Sequence, residues 1–218
     1  MDPAAAFKFD LQGYLHIPAV LSAAEVAAAN LAIDAHRSEF EGEFGRSHPF
    51  AHIEGLLGWT GAEREPFVRM LAHSRIVPYL NMMCGKGFRM DHGPTVLTMD
   101  KAAAGTEVNV GLHGSSGPGF SPSQFYLWKD GQMHNGLLSV QYLLCDHGPG
   151  SGGFACIPGS HKSNVRGPPE LYTHKAATRE EFDQGYFGYS SGLTKHVEAK
   201  AGDGAAAARH SLSFTVIH

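Results

Sequence analysis

The stretch that most constrains this chain is residues 136–164, GLLSVQYLLCDHGPGSGGFACIPGSHKSN. Two apolar runs rich in β-formers, SVQYLL and GGFACIP, flank a Gly/Pro loop, and Pro158-Gly159-Ser160-His161 closes the second. Short apolar runs bounded by Gly and Pro read as strands of a β layer. Gly148, Gly150 and Gly153 also fit G-x-G-x-x-G, a loop that needs a helix directly behind it to hold a pyrophosphate. Residues 154–159, FACIPG, are too few and too Pro/Gly-bounded for that helix. A dinucleotide loop is excluded by its context.

Helical patterns come earlier in the chain. Ser22-Ala23-Ala24-Glu25 is a capping box that opens a helix over residues 23–39, with Val26, Leu31 and Ile33 on its apolar face. Residues 65–83 hold a second pattern, with Phe67, Met70, Leu71, Ile76, Leu80 and Met83 in one stripe and a break at Pro78. From residue 88 onward the texture is β, with strands expected over 95–99, 107–112, 124–128, 137–144 and 153–157. Asp130-Gly131 marks a hairpin turn. Helices followed by strands predict an α+β chain with a mainly β core, its N-terminal helices packed on one face of an antiparallel sandwich.

The 218 residues suit a single domain, with 43% hydrophobic and 17% charged residues. A net charge of −4 gives no electrostatic reason to expect nucleic acid or an anionic membrane as partner. No run reaches the length of a spanning helix, and MDPAAAFKFD lacks a secretory signal's basic and apolar parts. Cys84, Cys145 and Cys156 form no C-x-x-C pair and read as reduced thiols. A cytoplasmic monomer is the expectation.

D-x-G-x-x-x-G-G-F-x-x-I-P-G-S-H-K, from Asp146 to Lys162, resembles the core of the phytanoyl-CoA dioxygenase family. FDLQGYLHIP from Phe9 and VLSAAEV from Val20 are similar to that family's opening strand and first helix. The resemblance implies a double-stranded β-helix, of the jelly-roll or cupin kind, spanning residues 1–218. It also implies Fe(II), 2-oxoglutarate as co-substrate, and hydroxylation of an unactivated C–H bond in a small-molecule or acyl substrate.

Enzymes of this kind hold iron through two His and one carboxylate. His113, in Leu112-His113-Gly114-Ser115, stands where the first ligand belongs, while Ser115 stands where the carboxylate should. That departure leaves three readings: a halogenase-like variant that binds halide there, a carboxylate recruited from elsewhere, or a protein without iron. Asp146 reads as a turn former. The resemblance places the second His on a strand just after Ala201-Gly202-Asp203, but an alanine run follows instead. His210 and His218 are the two candidates. For the co-substrate, Lys101 follows a strand as the family's lysine does, and Tyr142 holds the slot of an aromatic beside the same ligand. The family's anchoring Arg, on the strand after the second His, has no evident counterpart, as if the last strands were missing. His161 reads as structural or substrate-facing, and Arg89 and His92 face an open direction.

Overall fold

The computed structural model describes residues 2–42, 50–99, 108–110, 125–146, 154–165, 175–177, 193, 195–204 and 211–217. Its first helix, α1 (Pro3–Gln12), starts where the Asp2 carboxylate accepts from the Ala4 amide at 2.9 Å. Pro3 and an alanine run carry it to Gly13, whose left-handed φ of 79° ends the helix. The resemblance had put an opening strand at Phe9. Local capping and alanine content prevail there instead, and β bridging begins only at Ile17, which meets Gly204.

The capping box forms as expected: Ser22 Oγ accepts from the Glu25 amide, and Glu25 accepts from the Ser22 amide at 2.8 Å. It opens α2 (Ala23–Ala35), which stops short of residue 39 because Arg37–Glu39 tighten into a 3-10 turn. Ala29, Ala32 and Ile33 are the buried face, whereas Leu31 is 74% exposed. The small alanines let α2 lie close to its neighbours; the bulky Leu31 lies a quarter-turn away. Two very short strands follow, β1 (Glu41–Gly42) and β2 (Phe50–Ile53), ahead of the expected β region.

The second helical pattern is two helices, α3 (Gly61–Leu71) and α4 (Val77–Cys84). The break lies before Pro78, because proline fits the first turn of a helix and Pro78 starts α4 rather than interrupting it. Phe67, Met70, Ile76, Leu80 and Met83 are all buried, so the stripe is shared across the break.

β3 (Arg89–Met99), β4 (Val108–Val110), β5 (Tyr126–Lys129), β6 (Gln132–Asn135) and β7 (Leu138–Leu143) follow. After them come β8 (Ala155–Cys156), β9 (Lys175–Ala177), β10 (Lys195–His196) and β11 (Ser211–Ile217). A five-stranded sheet has the order β1-β2-β3-β11-β7, and every pairing in it is antiparallel. β4–β9, β5–β6 and β8–β10 form two-stranded antiparallel sheets. Asp130 and Gly131, at φ 53° and 75°, make the β5–β6 turn with the two left-handed residues that a two-residue hairpin favours. Strand β8 follows the Gly-rich loop, so no helix is there to hold a dinucleotide.

The core lies between the helices and the large sheet, where Phe67, Met70 and Leu80 meet Val96, Val140 and Tyr142. Asn30 of α2 ties the layers by donating to the Leu144 carbonyl at 2.8 Å. No described helix is long and apolar enough to cross a membrane.

Candidate active site

Two distant segments hold the N-terminal stretch against the sheet. The first is the Ala201-Gly202-Asp203 turn. Asp203 is 7% exposed, and its carboxylate accepts from the Ala19 amide at 2.7 Å and the Lys200 amide at 2.9 Å. His16 Nε2 lies 2.8 Å from the same group. Burial alone would raise this carboxyl's pKa, but the two amides and the imidazole together hold it below its ordinary value. Ala19 sits at φ 50°, a strained position for a residue with a Cβ. Asp203 grips its N–H, and the Arg75 guanidinium donates to its carbonyl and to that of Pro18. Gly202 has no alternative: a Cβ there would meet the Leu21 carbonyl oxygen at 2.6 Å.

The second is the Pro-Gly-Ser-His-Lys turn. The Gly159 amide donates to the Gln12 carbonyl at 3.0 Å, and Lys162 Nζ to the Asp10 carbonyl at 2.5 Å. Tyr126 Oη donates to Asp10 Oδ1, and this bond leads the effects that lower the Asp10 carboxyl. The His161 ring packs edge-on to Tyr126 at 4.7 Å and tilted to Phe9 at 5.8 Å. A Cβ on Gly13 would lie 2.4 Å from His161 Nδ1. The two stretches that carried the family resemblance therefore pack on one another, each shaping the other's glycine positions. Asp146 acts as a tie between loops, accepting from the Ala201 amide at 2.9 Å.

Tyr142 is fully buried on the helix-covered face of β7, with its hydroxyl donating to the Met70 carbonyl at 2.6 Å and its ring edge-on to His73. This is the placement of a core tyrosine joining sheet to helix. The residues beside it in β7, Gln141 and Leu143, point the other way, as alternation requires. His92 is exposed and pairs with Asp91 at 2.7 Å, which keeps it at the sheet margin. Arg89 lies across the ladder from Ile217.

Lys101, His113, Ser115, His210 and His218 lie outside the described residues. Among the described residues no group of three His, Cys, Asp or Glu could hold a metal ion. The strand ends nearest these positions are informative all the same. Ser211, which follows His210, faces Leu97 and Leu143; Ile217, which precedes His218, faces Arg89. β3 runs on from Leu97 to Met99, two residues before Lys101. The seven residues of β11 span about 20 Å. The C-terminal segment, read from the sequence as a strand, is an inner one, paired on both edges.

A pocket of about 240 Å³ runs beside β7, between residues 13–17 on one wall and 137–141 on the other. Gly204, also in its lining, bridges both Ile17 and Tyr142.

Comparison with known structures extends over the whole chain. HygX from Streptomyces hygroscopicus, with nickel and 2-oxoglutarate bound, superposes at a TM-score of 0.69 and 19% identity, covering 100% of this chain and 87% of that one. The epimerase SnoN, in complex with Fe3+, alpha ketoglutarate and nogalamycin RO, gives 0.63 and 19%, covering 99% and 84%. The carbocyclase SnoK from nogalamycin biosynthesis gives 0.63 and 17%, covering 100% and 84%. At these identities the likeness is one of fold. A comparison with curated protein sequences finds no match. The family description Phytanoyl-CoA dioxygenase (PhyH) matches residues 9–204. This chain belongs to the phytanoyl-CoA dioxygenase family and so to the 2-oxoglutarate-dependent oxygenases, whose metal is iron.

Proposed function

We propose that this protein is an Fe(II)- and 2-oxoglutarate-dependent oxygenase that oxidises a small-molecule substrate on a double-stranded β-helix, of which the four sheets are parts. The observation that carries this reading is the family match over residues 9–204 together with a fold shared along the whole chain with 2-oxoglutarate-bound HygX. HygX with hygromycin B and SnoN with nogalamycin RO are small-molecule complexes, which favours a small molecule over an acyl chain.

The donor set fits iron in part. His113 and His210 would supply neutral imidazole nitrogens, while Ser115 offers no anionic oxygen. His210 is preferred to His218 because the strand position after it lies at the Met99 end of β3, toward Lys101, and the position before His218 lies at the opposite end of β11. When bound, iron supplies the oxidising chemistry that couples 2-oxoglutarate decarboxylation to substrate oxidation. The chain's part is to hold the dicarboxylate, orient the substrate and exclude water. Lys101 offers an ammonium for one carboxylate. Arg209, directly ahead of the inner strand β11, offers the guanidinium that sequence reading had found no place for. Side chains at 209 and 210 would point to opposite faces if β11 extended that far back, so separate substitutions decide which of the two serves the site. Tyr142, committed to the Met70 carbonyl, supports the sheet from behind.

A second reading is favoured by one observation: only six residues separate Gly204 from Ser211, on opposite edges of β7. That leaves little chain for a further ligand-bearing strand, and on this reading the protein binds a ligand without turnover. The test is succinate release from 2-oxoglutarate by the iron-loaded chain, with and without chloride. Turnover coupled to substrate oxidation supports the oxygenase. Chlorinated product would mark the halogenase-like variant that Ser115 permits. No turnover, coupled or uncoupled, with any iron loading favours the binding protein. Ser115→Asp should tighten iron binding by adding a hard anionic ligand, and unchanged affinity would count against a metal at His113.

A further inference from the structure

The two faces of the large sheet are chemically different surfaces. Pairing among β3, β11 and β7 sets which residues share a face. Val96, Leu212 and Tyr142 form one row of the ladder, and Thr95, Ser213 and Gln141 form the next. The helices cover the first row, where Val96 and Tyr142 are fully buried. Alternation turns Thr95 and Gln141 to the opposite face. Both are half-buried there, in mid-strand.

Exposure on that face rises in one direction. Along β7 it passes from Leu143, fully buried, through Gln141 to the exposed Ser139. Along β3 it passes from the half-buried Leu97 and Thr95 to the exposed His92, which faces Thr215 beyond a shift in register. The face is thus closed where β3 leads on to Lys101 and β11 begins, and open at Ser139 and His92. Irregular ladders of this kind re-aim side chains beside sites. In the middle row Thr95 brings a hydroxyl and Gln141 a primary amide, each able to donate and to accept. Leu97 and Leu143 lie directly behind them on the same face. A neutral polar pair backed by leucines suits a ligand that is itself part hydroxyl and part hydrocarbon.

We infer that Thr95 and Gln141 orient the substrate, and that they select a neutral molecule carrying two hydroxyl groups on one six-membered ring. The pair belongs to the proposed oxygenase site and rests on that reading for what becomes of the molecule, not for its binding. With β11 between them, their Cα atoms stand two strand spacings apart, about 10 Å. A hydrogen bond of about 2.9 Å on each side leaves room for ligand oxygens roughly 4–6 Å apart. Hydroxyls at opposite corners of a ring have that spacing. A charged group would give up its hydration for two neutral partners, which disfavours it.

The test is an NMR titration of the full 15N-labelled chain with trans-1,4-cyclohexanediol and with cyclohexanol, in the presence of a chelator. The Gln141 side-chain amide, assigned through its own backbone, reports contact directly. Saturable movement of that amide with the diol is expected, with cyclohexanol bound roughly five- to tenfold more weakly, the worth of one hydrogen bond. The preference should be lost in Gln141→Leu and in Thr95→Val. No saturable diol binding, an amide that does not move, or a preference that survives both substitutions overturns the inference. Thr95→Val keeps the side chain's shape, so it decides should Gln141→Leu fail to fold. Succinate release by the iron-loaded chain separates the two claims. Diol binding through the pair without any turnover upholds the pair and contradicts the oxygenase reading; turnover without diol binding does the reverse.

Discussion

Two histidine–carboxylate contacts hold the helical layer together, and they do so in opposite ways. At the Ala201-Gly202-Asp203 turn the carboxylate is buried and takes two amide N–H groups, with His16 as a third partner. At the end of α2 it is the imidazole that is enclosed. His36 stacks on Trp59 at 3.9 Å and nearly parallel, with Glu39 at 2.7 Å and Glu63 at 3.1 Å on its two nitrogens. Both glutamates are about half exposed. The buried acceptor has no water to replace a lost partner, whereas the surface clasp competes with solvent at every contact. The first should therefore dominate stability and the second should tune it.

The largest effect expected is from Asp203→Ala. It removes a buried carboxylate with two part-buried charge-assisted bonds, from the Ala19 and Lys200 amides, and frees the strained Ala19, so a loss of about 3 kcal/mol is expected from the denaturant midpoint. A loss below about 1 kcal/mol would mean that the turn is held by Gly202 and Gly204 alone. The folded carboxyl has a lowered pKa, so its contribution is present above the unfolded value near 3.9 and lost as pH falls through the folded one.

Tyr142→Phe should rank next. Removing the hydroxyl leaves the Met70 carbonyl short of a donor, a cost of roughly 1–2 kcal/mol by thermal or urea unfolding. Its requirement for 2-oxoglutarate should stay unchanged. A raised requirement without lost stability would return Tyr142 to the co-substrate site.

His36→Ala should cost under about 1 kcal/mol, and its pH dependence should run opposite to that of Asp203. The Glu39 contact leads the effects that raise the His36 pKa, with Glu63 adding to it against burial. The stabilisation is therefore complete below the unfolded value near 6.5 and fades as pH rises through the folded one. Unfolding measured at pH 5.5 and pH 9 separates the two: the difference between the parent and His36→Ala should be larger at the lower pH. An equal difference at both would leave stacking on Trp59 as the whole of the interaction.

What the sequence made legible divides along the same line of local against distant causes. The Ser22–Glu25 box and the Asp130-Gly131 turn are written within four residues, and both form as read. α1 was missed although Asp2 and Pro3 are good start signals, because its last turn, from Phe9 on, resembles an opening strand. β1 and β2 were missed because strands of two and four residues leave no alternation to detect. Asp203 was seen only as part of a turn. Its partners His16 and Ala19 lie 187 and 184 positions away, and no periodicity connects them. In the candidate site, the strand position of Tyr142 was legible but its burial against Met70 was not, since strand position does not reveal which side the helices cover. The inner position of β11 was hidden for a related reason: its pairing with β3 and β7 is a property of the whole sheet.

The most direct test of the functional reading is equilibrium Fe(II) binding, in the presence of 2-oxoglutarate, by the parent chain and by His113→Ala, His210→Ala and His218→Ala. One iron per chain is expected, lost in the first two variants and kept in His218→Ala. Iron bound equally by all four, or by none, would contradict a metal site built from His113 and His210.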